Sequence, residues 1–327
     1  MLRRLLIAVA VLLVLGLGAA GTTLYLAKGY LRGPGPLQQP TIVDLPRGAG
    51  VSAIAARLDA AGAIEHPLAF VALARTQAKD RTLKAGEYEL APGMSPEAIM
   101  ALLESGKVVQ HPVAVPEGLT VREVYALLQA SDLLSGDLPP LPPEGSLLPD
   151  TYLVPRGEPR AKVVERMQTA MTAALDQAWA ARQPDLPLET TGDVLTLASI
   201  IEKETGLAAE YPLVAAVFVN RLRVGMPLQT DPTVIYALAE GKGPLGRELT
   251  RADLEVASPY NTYRNQGLPP GAIANPGKAA IAAAVDPAPV DYLYFVASGE
   301  GGHLFARTLA EHNRNVARWR KLRKSSG

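Results

Sequence analysis

The most one-sided hydrophobic pattern lies at the start of the chain. Leu5 to Ala27 contains no charged residue, and about 20 apolar residues suffice to cross a bilayer core. The pattern predicts a single transmembrane helix. Arg3 and Arg4 precede it, so the positive-inside tendency places the amino end in the cytoplasm and the chain beyond Lys28 outside. Gly18, Ala19 and Ala20 offer small residues for signal cleavage, but the apolar run continues through Leu24, Tyr25 and Leu26, which favours an uncleaved anchor. From Gly29 to Pro40, "GYLRGPGPLQQP" has the proline and glycine content of an extended linker.

Beyond the linker one pattern occurs three times: "LPRGAGVSAIAARLDAAG" from Leu45, "LAPGMSPEAIMALLESG" from Leu90 and "VPEGLTVREVYALLQAS" from Val115. Each reads as strand, glycine turn and amphipathic helix, with Gly48, Gly93 and Gly118 in the turns and Ser52, Ser95 and Thr120 at helix N-caps. The repeats are unevenly spaced, so they predict a small α+β module over residues 41–134 rather than a solenoid. Its functional reading is binding, and the bland one is a spacer. A proline-rich connection follows over 135–146. Residues 147–327 then read as a mostly helical α+β domain. Ala161 to Arg182 forms one long helix ended by Pro184 and Pro187, and "PLVAAVFVNRLRVG" is bracketed by Pro212 and Gly225. Asp231-Pro232 opens a helix that ends near Gly241. "DYLYFVAS" from Asp291 is the best strand, and Thr308 with Glu311 caps a final helix through Trp319.

Composition narrows the chemistry by exclusion. Lys and Arg number 32 against 32 Asp and Glu, which gives no global pull toward nucleic acid. With no cysteine, thiolate nucleophiles, disulfides and Cys-ligated metals are ruled out. The four histidines, His66, His111, His303 and His312, are scattered without a metal-binding spacing. His303, after two glycines in "GEGGHLF", is either a satisfied structural histidine or one that reaches a groove. Trp179 and Trp319 sit on predicted helices and read as packing residues.

The chemically informative stretch is "LTLASIIEKETG", Leu195 to Gly206. On a helix that turns about 100° per residue, Glu204 joins Leu197, Ile200 and Ile201 on one face. Glu202 falls among Ala198, Ser199 and Thr205 and reads as a solvated charge. A carboxyl group among apolar neighbours is disfavoured in its charged form and keeps its proton to higher pH, which is what a general acid requires. Two other outcomes compete: Glu204 swings into solvent at the helix end, or it pairs with a buried arginine such as Arg221.

Four motifs in order carry a family resemblance: "ASIIEKET" at Ala198, "VFVNRLRVGMPLQTDPTVIYAL" at Val217, "SPYNTYRNQGLPPGAIANPG" at Ser258 and "YLYFVASGEGGHLFARTLAEHN" at Tyr292. The chain resembles the YceG-like endolytic murein transglycosylases along its whole length. The resemblance implies a single-span membrane protein, a LysM-like module outside the membrane and a catalytic domain whose acid is the second glutamate of EKET, here Glu204. It further implies cleavage of the β-1,4 bond between N-acetylmuramic acid and N-acetylglucosamine in nascent strands, with 1,6-anhydromuramoyl ends that terminate glycan elongation. Such a reaction calls for one carboxyl group and no cofactor. Peptidoglycan strands and the synthases that make them are the expected partners.

The remaining motifs supply candidate groove residues. Gln229, Thr230 and Asp231 precede a helix, while Tyr260, Asn261, Thr262 and Tyr263 sit in a loop, and amides, hydroxyls and rings suit sugars. Asn261 is the preferred second residue. Asp231 also reads as an N-cap, and loop tyrosines also serve as covers over a core. Two alternatives stay open: a muramidase with Asp231 as second carboxylate, and a non-catalytic glycan-binding scaffold.

Overall fold

The structure is a computed structural model that describes the backbone of residues 2–325. Many side chains of the first helix, α1 (Leu2–Arg32), lie outside the described residues. Among the described residues no helix is long and apolar enough to cross a membrane. The predicted span falls largely on those undescribed side chains. The chain divides into two compact units, Met1–His111 with Val154–Arg156, and Pro112–Leu153 with Gly157–Gly327.

In the first unit α1 is followed by β1 (Thr41–Leu45), α2 (Val51–Ala60), α3 (Pro67–Thr76), β2 (Gly86–Leu90) and α4 (Pro96–Ser105). β1 and β2 pair antiparallel, Thr41 opposite Leu90 and Leu45 opposite Gly86. Alternation then turns Val43, Leu45, Tyr88 and Leu90 inward onto Ile54, Leu58, Phe70, Ile99 and Leu103. Tyr88 is fully buried but satisfied, since its hydroxyl donates to the Lys84 carbonyl at 2.8 Å. Gly48 and Gly93 adopt the expected left-handed turns, and Ser95 caps α4 by accepting from Ala98 N. Ser52 does not act as a cap: α2 begins one residue before it, with Gly50 at the N-cap and no side-chain bond. The segment expected as a free linker is also packed. α1 runs on to Arg32, Leu37 is only 8% exposed in the core of this unit, and Gly35 N donates to Gly93 O. A Cβ at Gly35 would lie 2.3 Å from the Met94 carbonyl, so that close approach requires glycine.

The chain continues through β3 (His111–Ala114), α5 (Val121–Ala130), β4 (Leu134–Ser135), β5 (Thr151–Val154), β6 (Glu158–Pro159) and α6 (Arg160–Ala180). Next come α7 (Thr191–Glu204), α8 (Tyr211–Arg223), α9 (Asp231–Ala239), α10 (Lys278–Val285), β7 (Tyr294–Ala297), β8 (His303–Ala306) and α11 (Leu309–Ser325). The sequence draws a module boundary near Leu134, whereas the first compact unit closes at His111 and the third repeat falls in the second unit. The cause is polar anchoring. Thr120 and Glu123 form a capping box at α5, Val121 N donates to Glu144 Oε1 at 2.7 Å, and the Tyr125 hydroxyl donates to Pro140 O. The proline-rich connection is thus fastened to α5.

α7 is the centre of this unit, in contact with α10, α8, α6 and α9. Its Val194, Leu197, Ile200 and Ile201 are fully buried with Val214, Phe218 and Ala284. Thr190 and Asp193 form a capping box at its start, and Thr308 with Glu311 does the same for α11. One fully buried side chain ties three remote segments: Asn275 Oδ1 accepts from Leu147 N at 2.9 Å, and its Nδ2 donates to Leu119 O at 2.8 Å. Asn275→Ala removes both bonds and strands buried partners, so unfolding free energy should fall by about 2–3 kcal/mol, read as a lower urea midpoint with unchanged slope. A loss below about 0.5 kcal/mol, the level of an ordinary surface change, would contradict this account of the knot.

Candidate active site

Glu204 is the last residue of α7. Thr205 is extended, with φ −142° and ψ 140°, so the helix stops immediately after the acid. The residue is half-buried, and its carboxyl group is crowded by protein. Its position at the negative end of a helix disfavours a second negative charge. Burial is the main influence and pushes the Glu204 carboxyl up to about 7, with Asp231 acting in the same direction. A hydrogen bond from Thr230 and the positive groups of His303 and Arg221 pull the other way without prevailing.

The Thr230 hydroxyl donates to Glu204 Oε1, and Thr230 is itself held on every side. Its N–H donates to Thr262 Oγ1 at 3.1 Å and its carbonyl accepts from the Thr233 hydroxyl at 2.7 Å. Thr233 and Thr262 share a further bond at 2.9 Å. This buried threonine cluster fixes the hydroxyl that faces the acid. Asp231 stands exposed at the first turn of α9, and its Oδ1 accepts from the Tyr263 hydroxyl at 2.6 Å. Arg221 is 8% exposed, and its guanidinium donates to the carbonyls of Leu293 and Leu228 at 2.7 and 2.6 Å. It faces Glu204 as a nearby charge and not as its salt-bridge partner. Among the described residues no group of three or more histidines and carboxylates is placed to hold a metal ion.

Glu204, Thr230, Asp231 and Tyr263 therefore come together. Gln229 adjoins them, exposed and left-handed at φ +48°, a conformation that costs a non-glycine residue on the order of 1 kcal/mol. With Tyr263 and Arg251 it lines a depression of about 620 Å³. A second depression, about 360 Å³, is bordered by Lys203, Pro232 and Tyr236. The chain neighbours of Glu204 and Asp231 thus open on grooves. A roomier apolar cavity of about 690 Å³ between α6 and α10 shares no residue with the acid's surroundings.

Asn261 has a different place from the one its residue type suggests. It is fully buried, its amide donates to Leu254 O and Val256 O, and its Oδ1 accepts from Tyr263 N. It braces the loop that presents Tyr263 and has no amide edge left for a sugar. Tyr260 packs on the core, with its ring 4.9 Å from that of Tyr236. Glu202 is not a solvated charge. Its Oε2 accepts from Gly277 N and its Oε1 from the Tyr211 hydroxyl, both at 2.9 Å, so it anchors the start of α10 to the central helix. Residue type alone did not reveal the threonine cluster or the Glu210–His303 pair, in which His303 Nδ1 lies 2.8 Å from Glu210 Oε2. The run "QTDPT" held the only cue to the first, and the two glycines before His303 the only cue to the second.

With this geometry in place, comparison with known proteins is specific. Residues 43–318 match the YceG-like family. The chain is similar to an endolytic murein transglycosylase of Bacillus subtilis, 33% identical over 305 residues that cover 83% of this chain and 82% of that protein. It is also similar to one from Streptococcus pneumoniae serotype 2, 31% identical over 84% of this chain and 57% of that longer protein. Among solved structures, a yceG-like protein of Listeria monocytogenes is 31% identical with a TM-score of 0.51, over 84% of this chain and 99% of that one.

The raised pKa has a stability signature. A carboxyl group whose folded value lies above its unfolded value binds more protons in the folded state between the two, so stability falls as pH rises through that window. For Glu204 the window runs from its ordinary value of 4.5 to about 7, and the full cost above it is on the order of 3 kcal/mol. Glu204→Gln should be more stable than the parent at pH 8 and nearly equal at pH 4, measured by urea unfolding at both. An equal offset at the two pH values would show that the group is not held protonated by the fold.

Proposed function

Because the chain belongs to the YceG-like family, we propose that it is a peptidoglycan lytic transglycosylase that cuts glycan strands internally, with Glu204 as its single acid–base group. One observation carries the reading. The carboxyl group driven to about 7 by burial is the last residue of the central helix, and its chain neighbour Lys203 and the loop residues Gln229 and Tyr263 border grooves. A group poised near neutral pH can give and take a proton in one cycle. As acid it protonates the glycosidic oxygen while the bond from that oxygen to the muramoyl anomeric carbon breaks. As carboxylate it then removes the proton of the sugar's C6 hydroxyl, whose oxygen bonds to the same carbon and closes a 1,6-anhydro ring. No water is consumed, and Glu204 ends protonated.

Hydrolysis would need a second carboxylate to activate water or act as nucleophile. Asp231 is the candidate for that role, but its side chain is bonded to Tyr263, which suits it better to hold that ring and hydroxyl against a saccharide. Gln229 and Tyr263 supply the polar and aromatic edges for sugar contact. Thr230 orients the acid, and Asn261 acts through Tyr263. The apolar segment Leu5–Ala27 anchors the chain in the membrane, amino end inside, so that the chain beyond Lys28 works on strands outside. Residues 41–134, outside the membrane, are a LysM-like module that suits glycan binding. Both features suit an enzyme that works on newly made strands beside the synthases that extend them, where cutting terminates elongation.

Glu204→Gln and Glu202→Gln, assayed on purified glycan strands with mass analysis of the products, test the assignment. Glu204→Gln should lose about three orders of magnitude or more in turnover. Glu202→Gln should keep its chemistry while losing on the order of 1 kcal/mol of stability, since it caps α10 rather than reacting. The parent should yield anhydro ends; reducing ends would mean that water is the acceptor and would favour the muramidase reading. Normal turnover in Glu204→Gln would remove this residue from the reaction.

A further inference from the structure

The depression of about 360 Å³ beside Lys203 has no part in the proton transfers assigned to Glu204. It adjoins them closely in the chain: Lys203 precedes the acid, and Pro232 follows the Thr230–Asp231 segment whose threonine is bonded to it. Its volume lies in the range of small-ligand sites, about 300–1,000 Å³. Pro232, Ile235, Leu245 and Ile273 give it an apolar wall. Gly243 and Gly246, both at positive φ, close one edge, and a Cβ at Gly243 would lie 3.2 Å from Glu123 Oε1. The charged side chains that reach this groove are Glu123, Lys203 and Arg247. Two of them are committed. Glu123 Oε2 accepts from the Thr120 N–H at 2.8 Å and its hydroxyl at 3.0 Å, while Arg247 donates to both carboxylate oxygens of Asp253 at 2.6 and 3.0 Å. Lys203 is exposed, and its Nζ donates to one carbonyl, that of Gly118, at 3.0 Å. Among the described residues it has no carboxylate partner. An ammonium group carries further donors beyond that one bond, so Lys203 brings an unanswered positive charge to the groove.

We propose that this groove takes the stem peptide of a muramoyl residue, with Lys203 bound to a peptide carboxylate. The proposal rests on the reading of Glu204 as the acid of a peptidoglycan-cutting enzyme. The charge narrows the ligand. A glycan strand is otherwise built of neutral hydroxyl and acetamido groups, and its anions lie on the lactyl arm of the muramoyl unit. They are the lactyl carboxylate itself when the arm is bare, or the carboxylates of the short peptide amide-linked to it. An ammonium beside the acid therefore has only that arm to answer in such a substrate. The apolar wall decides between the two sources, because the methyl and methylene groups of a peptide can cover it and a bare lactyl group is too small to do so. Lys203 is then a specificity residue, which tells peptide-bearing strands from bare ones one position before the group that cuts them.

The test compares kcat/KM of the full chain on peptide-bearing strands, on the same strands with their carboxylates converted to amides, and on strands stripped of peptide by an amidase. The parent should favour charged over amidated strands about fivefold, near the upper worth of an exposed ion pair, and the preference should shrink as salt rises. Lys203→Arg should keep that preference and Lys203→Met should lose it. A parent blind to amidation overturns the proposal. So does a Lys203→Met variant that falls by the same factor on charged and amidated strands, since the lysine would then only clamp the turn at Gly118. Lysine-dependent turnover confined to the stripped strands would give the site to the lactyl carboxylate and overturn the peptide assignment. Normal turnover in Glu204→Gln would defeat the acid assignment itself, whereas an inactive Glu204→Gln beside a parent blind to amidation defeats only the peptide site.

Discussion

The second unit is organised around one helix buried on nearly every side. α7 touches four other helices, and from Leu197 to Ile201 none of its residues reaches solvent. Such a helix has no freedom to shift along or about its axis without opening the core. Its last residue is consequently held as firmly as its first, and that last residue is Glu204. The protein environment contributes two opposed effects at the carboxyl group. Desolvation favours the protonated form, while Thr230, His303 and Arg221 favour the ionised one. Desolvation is larger, but the difference is small enough to leave the group near neutrality. Full burial without those three would leave an acid unable to release its proton, and full exposure an acid already ionised.

Helical periodicity marked Glu204 as a carboxyl group on the apolar face, because the stripe of Leu197, Ile200 and Ile201 is a property of the segment itself; its role came only with the family resemblance. The same wheel misjudged Glu202. Its neighbours on the wheel, Ala198 and Ser199, are small and read as surface, yet both are fully buried against other elements. Small residues on a helix mark close packing as readily as exposure, and only the tertiary partner, here α10 with Gly277 at its start, decides between them. Asn261 fails for a related reason. An amide in a loop suits a ligand or a backbone equally well, and the carbonyls of Leu254 and Val256 that claim it are invisible to motif reading. Thr120 and Ser95 were legible as caps because capping is local. The assignment of the third repeat to the second unit was not, since it depends on Glu144 and Asn275.

The loop from Gln229 to Asp231 shows how strain and rigidity are combined. A left-handed glutamine is followed by a threonine bonded through its N–H, carbonyl and hydroxyl, and then by Asp231 and Pro232 at the head of α9. The unfavourable backbone persists because the residues after it are over-determined. An exposed side chain is thereby directed at a groove by backbone geometry, with no packing of its own.

The Asn275 knot bears on the order in which this unit can be made. Its two side-chain bonds join residues 128 and 156 positions apart, and contacts of such long range carry a large loop-closure penalty before they return any stability. During synthesis the helix that carries the acid emerges some seventy residues before Asn275 and the α10 helix that packs on it, about 4–14 s at common elongation rates. Through that interval the apolar flank of α7 that α10 covers in the finished unit lacks its partner.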